Sequence, residues 1–398
     1  MTELVAKNIR KAYIFRLCVS LHFIGGVIVP FFLVWGGITF TQIMLLQAWF
    51  MLWIFIFEIP TGTIADYLGR KYSLVLACIV HVIAVLIYSS VPNFFIFMIG
   101  EFFWALAEAL ISGAGHAFVY DSLKTIEETG KSKLIFGRFE SFALIGYMLG
   151  SVGGSIMAAT LGLRSTMLFM SFSFGGALIV ALTFQEPPSS QDQDERRKTY
   201  MGILKDGVKV FYRSKILKIL AFDMIAIGTI SFLMFWLYQP MLLQLNIDII
   251  YFGIIHAIWV GGEIIIMNSY ERLEKLLRSK KRYLFFSAFI AGIMFIIGGI
   301  GLAFASIPLM IISIVLLASF GFSRYPLLLN YLNKHIPSPE RATVLSTINM
   351  FQTLCLVIIY PLIGLMEEWS LVNTLIILGI AGVIFSVISR VKEEYLID

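Results

Sequence analysis

Ionised side chains are scarce in this sequence. Only 14% of its 398 residues are Asp, Glu, Lys or Arg, while 59% are hydrophobic. A soluble domain carries about 25% charged residues, so a water-soluble globular fold is excluded. Cysteine is also rare. Cys18, Cys78 and Cys355 each fall in an apolar run, where a buried small thiol is the plain reading and no disulfide is expected. There is no N-x-[ST] acceptor, no phosphate-binding glycine loop, no zinc motif and no nucleophile elbow, so an enzyme, a cofactor and a metal site are not expected. No short apolar core with a small-residue cleavage site opens the chain, so the first apolar run is expected to remain in the mature protein.

What the chain has instead is long apolar runs. Roughly twelve reach the length of about 20 residues that a spanning helix needs. They lie near 13–35, 40–65, 74–91, 94–121, 137–160, 165–184, 216–243, 248–270, 284–305, 308–333, 343–366 and 370–390. They are too long for strands and do not alternate, so the fold class is an all-α integral membrane protein of about twelve transmembrane helices. With a cytoplasmic N-terminus, of the 30 basic residues only Arg164 falls on an outer loop and only Arg324 inside a span. This bias places both termini in the cytoplasm and calls for an even number of spans in the cell membrane. The cations are dispersed over inner loops rather than gathered in one patch, which excludes nucleic acid as a partner.

The sixth run is followed by Gln185-Glu-Pro-Pro-Ser-Ser-Gln-Asp-Gln-Asp-Glu-Arg-Arg-Lys198, a solvated linker by composition. The expected division is a bundle over 1–184, a cytoplasmic linker over 185–214 and a second bundle over 215–398. The two halves carry a weak internal likeness. Glu58 lies eight residues before Asp66 as Glu263 does before Glu271, and Arg70-Lys71-Tyr72 answers Lys281-Arg282-Tyr283. They read as a repeat of two pseudo-symmetric six-helix bundles.

The loop after the second run reads Glu58-Ile-Pro-Thr-Gly62-Thr-Ile-Ala-Asp66-Tyr-Leu-Gly69-Arg70-Lys71. Gly62 would let a neighbouring helix approach, and Gly69 can supply a positive-φ turn. Asp66 would stand near Arg70, Lys71 and a helix N-terminus. This spacing resembles the loop between the second and third helices of the major facilitator superfamily. The resemblance implies a gate at the cytoplasmic face made by Gly62, Asp66, Gly69, Arg70 and Lys71. It also implies a monomer, and a cavity lined by helices one, four, seven and ten. In the fifth run, Gly146, Gly150 and Gly154, with Ser151 and Ser155 beside them, resemble the glycine stretch of the family's antiporters. Ser151 stands where those carry proline, and a tight packing face accounts for the glycines equally well.

Charges inside spans need a reason, since each costs about 2.5–3.5 kcal/mol at the bilayer centre on insertion scales. The fourth run carries Glu101, Glu108, His116 and, at its inner end, Asp121; the tenth carries Arg324. Glu101 and Glu108 are seven apart and share a helical face. Glu108 and Arg324 lie at similar depth, and a pair between them would offset both desolvation costs, as a switch or as a static bridge. Asp223 in the seventh run and His22 in the first complete the candidate substrate and proton site. His81 and His256 read as core imidazoles. The expected function is proton-coupled efflux of lipophilic or cationic small molecules by alternating access. The alternative is a symporter or uniporter for a specific metabolite or lipid, with Arg324 binding an anionic group.

Overall fold

The computed structural model describes residues 2–188, 208–336 and 341–397. No strand occurs among them. We number the principal helices α1 (Thr2–Ser20), α2 (Phe40–Leu68), α3 (Arg70–Tyr88), α4 (Phe94–Thr125), α5 (Ser132–Leu161) and α6 (Leu163–Leu182). Those of the second half are α7 (Lys215–Gln244), α8 (Ile250–Met267), α9 (Lys280–Ala303), α10 (Ile307–Lys334), α11 (Arg341–Trp369) and α12 (Leu371–Ile388). Side-chain caps start several of them. Thr39 forms a capping box with Gln42, and Asn93, Ser214, Ser279 and Ser370 each accept a first-turn amide, satisfying groups that a helix leaves open. Large apolar side chains remain exposed along the helices, among them Phe95, Phe172, Ile179 and Val387, as expected where lipid is the solvent.

Eleven helices among the described residues are long and apolar enough to cross a bilayer. The expected run at 13–35 is the exception, because it folds in pieces. α1 ends at Ser20, and after a stretch of turns come a helical turn over Ile28–Pro30 and a widened one over Phe31–Trp35. In the last of these, the Gly36 amide reaches back to the Phe31 carbonyl at 2.8 Å. The break coincides with a close approach of α5. A Cβ on Gly154 would stand 1.7 Å from the Phe23 carbonyl oxygen; one on Gly150 would stand 2.6 Å from the His22 nitrogen, and one on Gly146 2.8 Å from the Leu17 carbonyl oxygen. The fifth-run glycines are therefore a seat for the backbone of 17–23.

The chain forms two compact units, Met1–Arg197 with Asp248–Ala257, and Lys198–Ile247 with Ile258–Asp398. The start of α8 thus belongs to the first unit, where the Ser155 hydroxyl donates to the Ile250 carbonyl at 3.0 Å. Within the first unit α3 packs on α4 and α6; within the second, α9 packs on α10 and α12. The repeat extends to a polar detail. Glu186, just after α6, accepts the Arg70 and Lys71 amides at 2.8 Å each. Glu393, just after α12, accepts those of Lys280 and Lys281 at 2.9 and 3.0 Å. Arg70-Lys71 therefore matches Lys280-Lys281, one residue earlier than the sequence likeness suggests. The tyrosine match that set the earlier register is incidental, because the carboxylate caps amides and reads no side chain.

Candidate functional site

In the first unit, α4 presents its carboxylates to three surroundings. Glu101 is buried, and Gln47 of α2 donates to it at 2.8 Å. One face of the same helix, two turns on, carries Glu108, whose side chain is 33% exposed. His81 Nε2 of α3 stands 3.4 Å from Glu108 Oε1, within ion-pair range but not aligned as a hydrogen bond. Near the C-terminal end of α4, Asp121 Oδ2 receives Arg70 Nε at 2.7 Å.

Aromatic rings surround the Glu108 region. His81 is fully buried, stacked on Phe174 at 4.2 Å and edge-on to Trp104 at 5.4 Å. His22 meets Trp104, Tyr147 and Phe174 edge-on at 5.7, 5.2 and 6.0 Å. The two imidazoles thus share Trp104 and Phe174, and the break after α1 is what turns His22 toward them. Its buried Nε2 has no hydrogen-bond partner among the described residues. A carboxylate one-third exposed beside aromatic rings can hold a proton or an organic cation.

Nearby, Glu140 of α5 ties Arg16 and His116 together. Arg16 Nη2 lies 2.8 Å from one oxygen and His116 Nε2 2.9 Å from the other. Glu140 is missed by sequence reasoning because it sits two residues after Arg138 near the start of the fifth run, where acids are ordinary. Its signal is the position inside an apolar run, shared with Arg16.

In the second unit, Arg324 is 2% exposed and bound to Asp223, Nη2 to Oδ1, at 2.5 Å. Its Nη1 donates to the Leu284 carbonyl and, at 2.6 Å, to the Ser287 hydroxyl. The other Asp223 oxygen accepts from Ser389 at 2.7 Å. The expected Glu108–Arg324 pair is thus replaced: each charge takes a partner within its own unit. Gly321 explains the choice on the Arg324 side. A Cβ there would stand 2.5 Å from the Ser231 hydroxyl, so α10 approaches α7 closely one turn before Arg324. Pro326, lacking an amide hydrogen, adds to the break after Phe322.

The loop after α2, expected to act as a gate, departs from its expected form in one respect. Gly69 has φ +105° and separates α2 from α3, as anticipated for a residue without Cβ. The carboxylate at the α3 N-terminus is Glu186, and Arg70 is paired to Asp121. Gly62 and Asp66 fall within α2, and their side-chain surroundings lie outside the described residues.

The sequence profile of the Major Facilitator Superfamily matches residues 16–359. An uncharacterized MFS-type transporter of Bacillus subtilis (strain 168), YxaM, is 24% identical over 314 residues, covering 77% of this chain and 76% of that protein. Among solved structures, nucleoside transporter NupG superposes with a TM-score of 0.75 at 12% identity, covering 96% of this chain and 98% of that one. A D-xylose-proton symporter does so with a TM-score of 0.76 at 13% identity, over 99% of each chain. At these identities the structural likeness speaks for the fold.

Proposed function

The chain belongs to the Major Facilitator Superfamily and is a membrane transporter rather than an enzyme, and from that premise we propose that it exchanges protons for lipophilic or cationic small molecules, exporting them by alternating access. Glu108 is the residue on which this reading rests. It is the one-third-exposed carboxylate of the aromatic region, and the His81 imidazole beside it is held off at 3.4 Å without an aligned hydrogen bond. A proton and an organic cation would compete for it, which is the elementary requirement of exchange. Glu101, buried with Gln47, serves as a second proton carrier on the same face, and His22 orients the aromatic wall.

An anionic substrate is disfavoured. Arg324, the cation that would bind it, is neutralised by Asp223. We place the gate at Gly62, Asp66, Gly69, Arg70 and Lys71, with the Arg70–Asp121 pair and the Glu186 cap as the contacts that change. Both termini are placed in the cytoplasm, the protein in the cell membrane as a monomer. A second reading, proton-linked symport of a polar metabolite, draws support from the D-xylose-proton symporter and the nucleoside transporter NupG among the structural neighbours.

Reconstitution in liposomes separates the two. Adding a cationic dye to one side should drive protons the opposite way, and Glu108→Gln should abolish that flux while leaving a folded, monodisperse protein. Dye movement with unchanged pH dependence in Glu108→Gln removes Glu108 from coupling. Proton flow in the same direction as an added sugar or nucleoside supports symport.

A further inference from the structure

The second unit carries a cavity with no part in the Glu108 arrangement. It has a volume of about 390 Å³ and opens between the start of α7 and the end of α12, with Ile219, Phe222, Phe385 and Ile388 in its wall. This is the size of a ligand site. The exposed Lys218 and Arg390 also line it. Neither takes an ion pair among the described residues. A second cavity of about 210 Å³ reaches toward Lys281, and Asp223 and Ser389 line both.

The chemistry of this surface selects its occupant. Asp223 offers no open negative charge, because Arg324 holds one oxygen and the Ser389 hydroxyl donates to the other. What remains is two unpaired cations beside an apolar wall in which the Phe222 and Phe385 rings stand 5.9 Å apart. A cationic amphiphile would face like charge there, and a neutral lipid would leave both cations unused. Basic pockets between spanning helices are suited to anionic lipid headgroups. We propose that this cavity binds an anionic phospholipid, its phosphate between Lys218 and Arg390 and an acyl chain along Phe222, Phe385 and Ile388. Ser389 adjoins Arg390 and holds Asp223, so the bound lipid touches the segment that completes the Arg324 ion pair.

Native mass spectrometry of the full chain in detergent tests this with phosphatidylglycerol and phosphatidylcholine at equal concentration. The protein should retain phosphatidylglycerol about tenfold more strongly, as two headgroup-facing cations warrant. Lys218→Gln/Arg390→Gln should erase that preference, while Arg272→Gln/Lys275→Gln, an equal loss of exposed charge elsewhere in the unit, should keep it. Phe222→Ala should weaken both lipids alike, and inorganic phosphate should not displace the lipid. Equal retention of the two lipids by the unaltered protein, or a preference that survives Lys218→Gln/Arg390→Gln, overturns the proposal. Loss of the preference in the control pair, or displacement by phosphate alone, overturns it as well.

Discussion

At the scale of single residues, burial decides what a charge is for. Arg324 and Asp223 are both buried, and among the described residues Arg324 and Ser389 supply the side-chain hydrogen bonds to the carboxylate. Removing one partner leaves the other charged in a medium that cannot solvate it, at a cost of about 3–5 kcal/mol. Arg324→Gln is therefore expected to lower the midpoint of thermal unfolding strongly. Asp223→Asn/Arg324→Gln should recover most of that loss, and a double variant no better than the single one would show that the pair is not coupled. The presence of charges within spans could be read from sequence, since Glu108, Asp223 and Arg324 interrupt apolar runs. Their pairing could not. Depth along two helices says nothing about rotation, and a small residue three positions away, Gly321, is what brings Arg324 against α7.

At the scale of helices, two devices recur: backbone seats and carboxylate caps. Gly154 lies so close to Phe23 that a methyl group cannot be placed without moving one backbone. Overpacking of this kind costs about 1–3 kcal/mol or more. Gly154→Ala should depress thermal stability and, by displacing the His22 turn, transport as well. Gly175→Ala, where a Cβ meets nothing within 4 Å, should leave transport unchanged and should not lower stability, since Ala suits a helix interior better than Gly. The caps make a pH prediction. Burial raises the Glu393 carboxyl, but the Ser279 hydroxyl and the amides of Lys281 and Lys280 outweigh it and hold the group below its usual range. A depressed folded value means that the stabilisation is present above the unfolded value of about 4.3 and is lost as pH falls through the folded one. The difference in unfolding midpoint between the unaltered protein and Glu393→Gln should therefore be largest near neutrality and shrink below about pH 4. A difference independent of pH would remove the carboxylate from the cap. Neither cap is visible in sequence, since Glu186 lies 116 residues from Arg70 and acids after a helix are common.

At the scale of the molecule, the proposed orientation is open to direct labelling. In a cysteine-free background, Lys131→Cys should react with an impermeant maleimide only from the cytoplasmic face, and Arg164→Cys only from the outer face. Labelling of both from one face would contradict the arrangement that the basic residues suggest. Each unit repeats the same helix pairings, with α3 between α4 and α6 and α9 between α10 and α12. The helix pairings repeat although the matching residues differ: Gly69 opens α3 whereas Ser279 opens α9.

The amino-acid sequence alone determined the membrane environment, the helical class, the number of apolar runs to within one and the family likeness of the loop after α2. These follow from composition and from the length needed to cross hydrocarbon, which are properties of a segment by itself. Only the tertiary structure decided that the first run is broken at His22, that Arg324 answers Asp223 rather than Glu108, and that Glu186 and Glu393 cap α3 and α9. Each of these depends on which faces of distant helices meet. A linear pattern carries the residue types for such contacts but not the close approaches, at Gly154 and Gly321 above all, that choose among them.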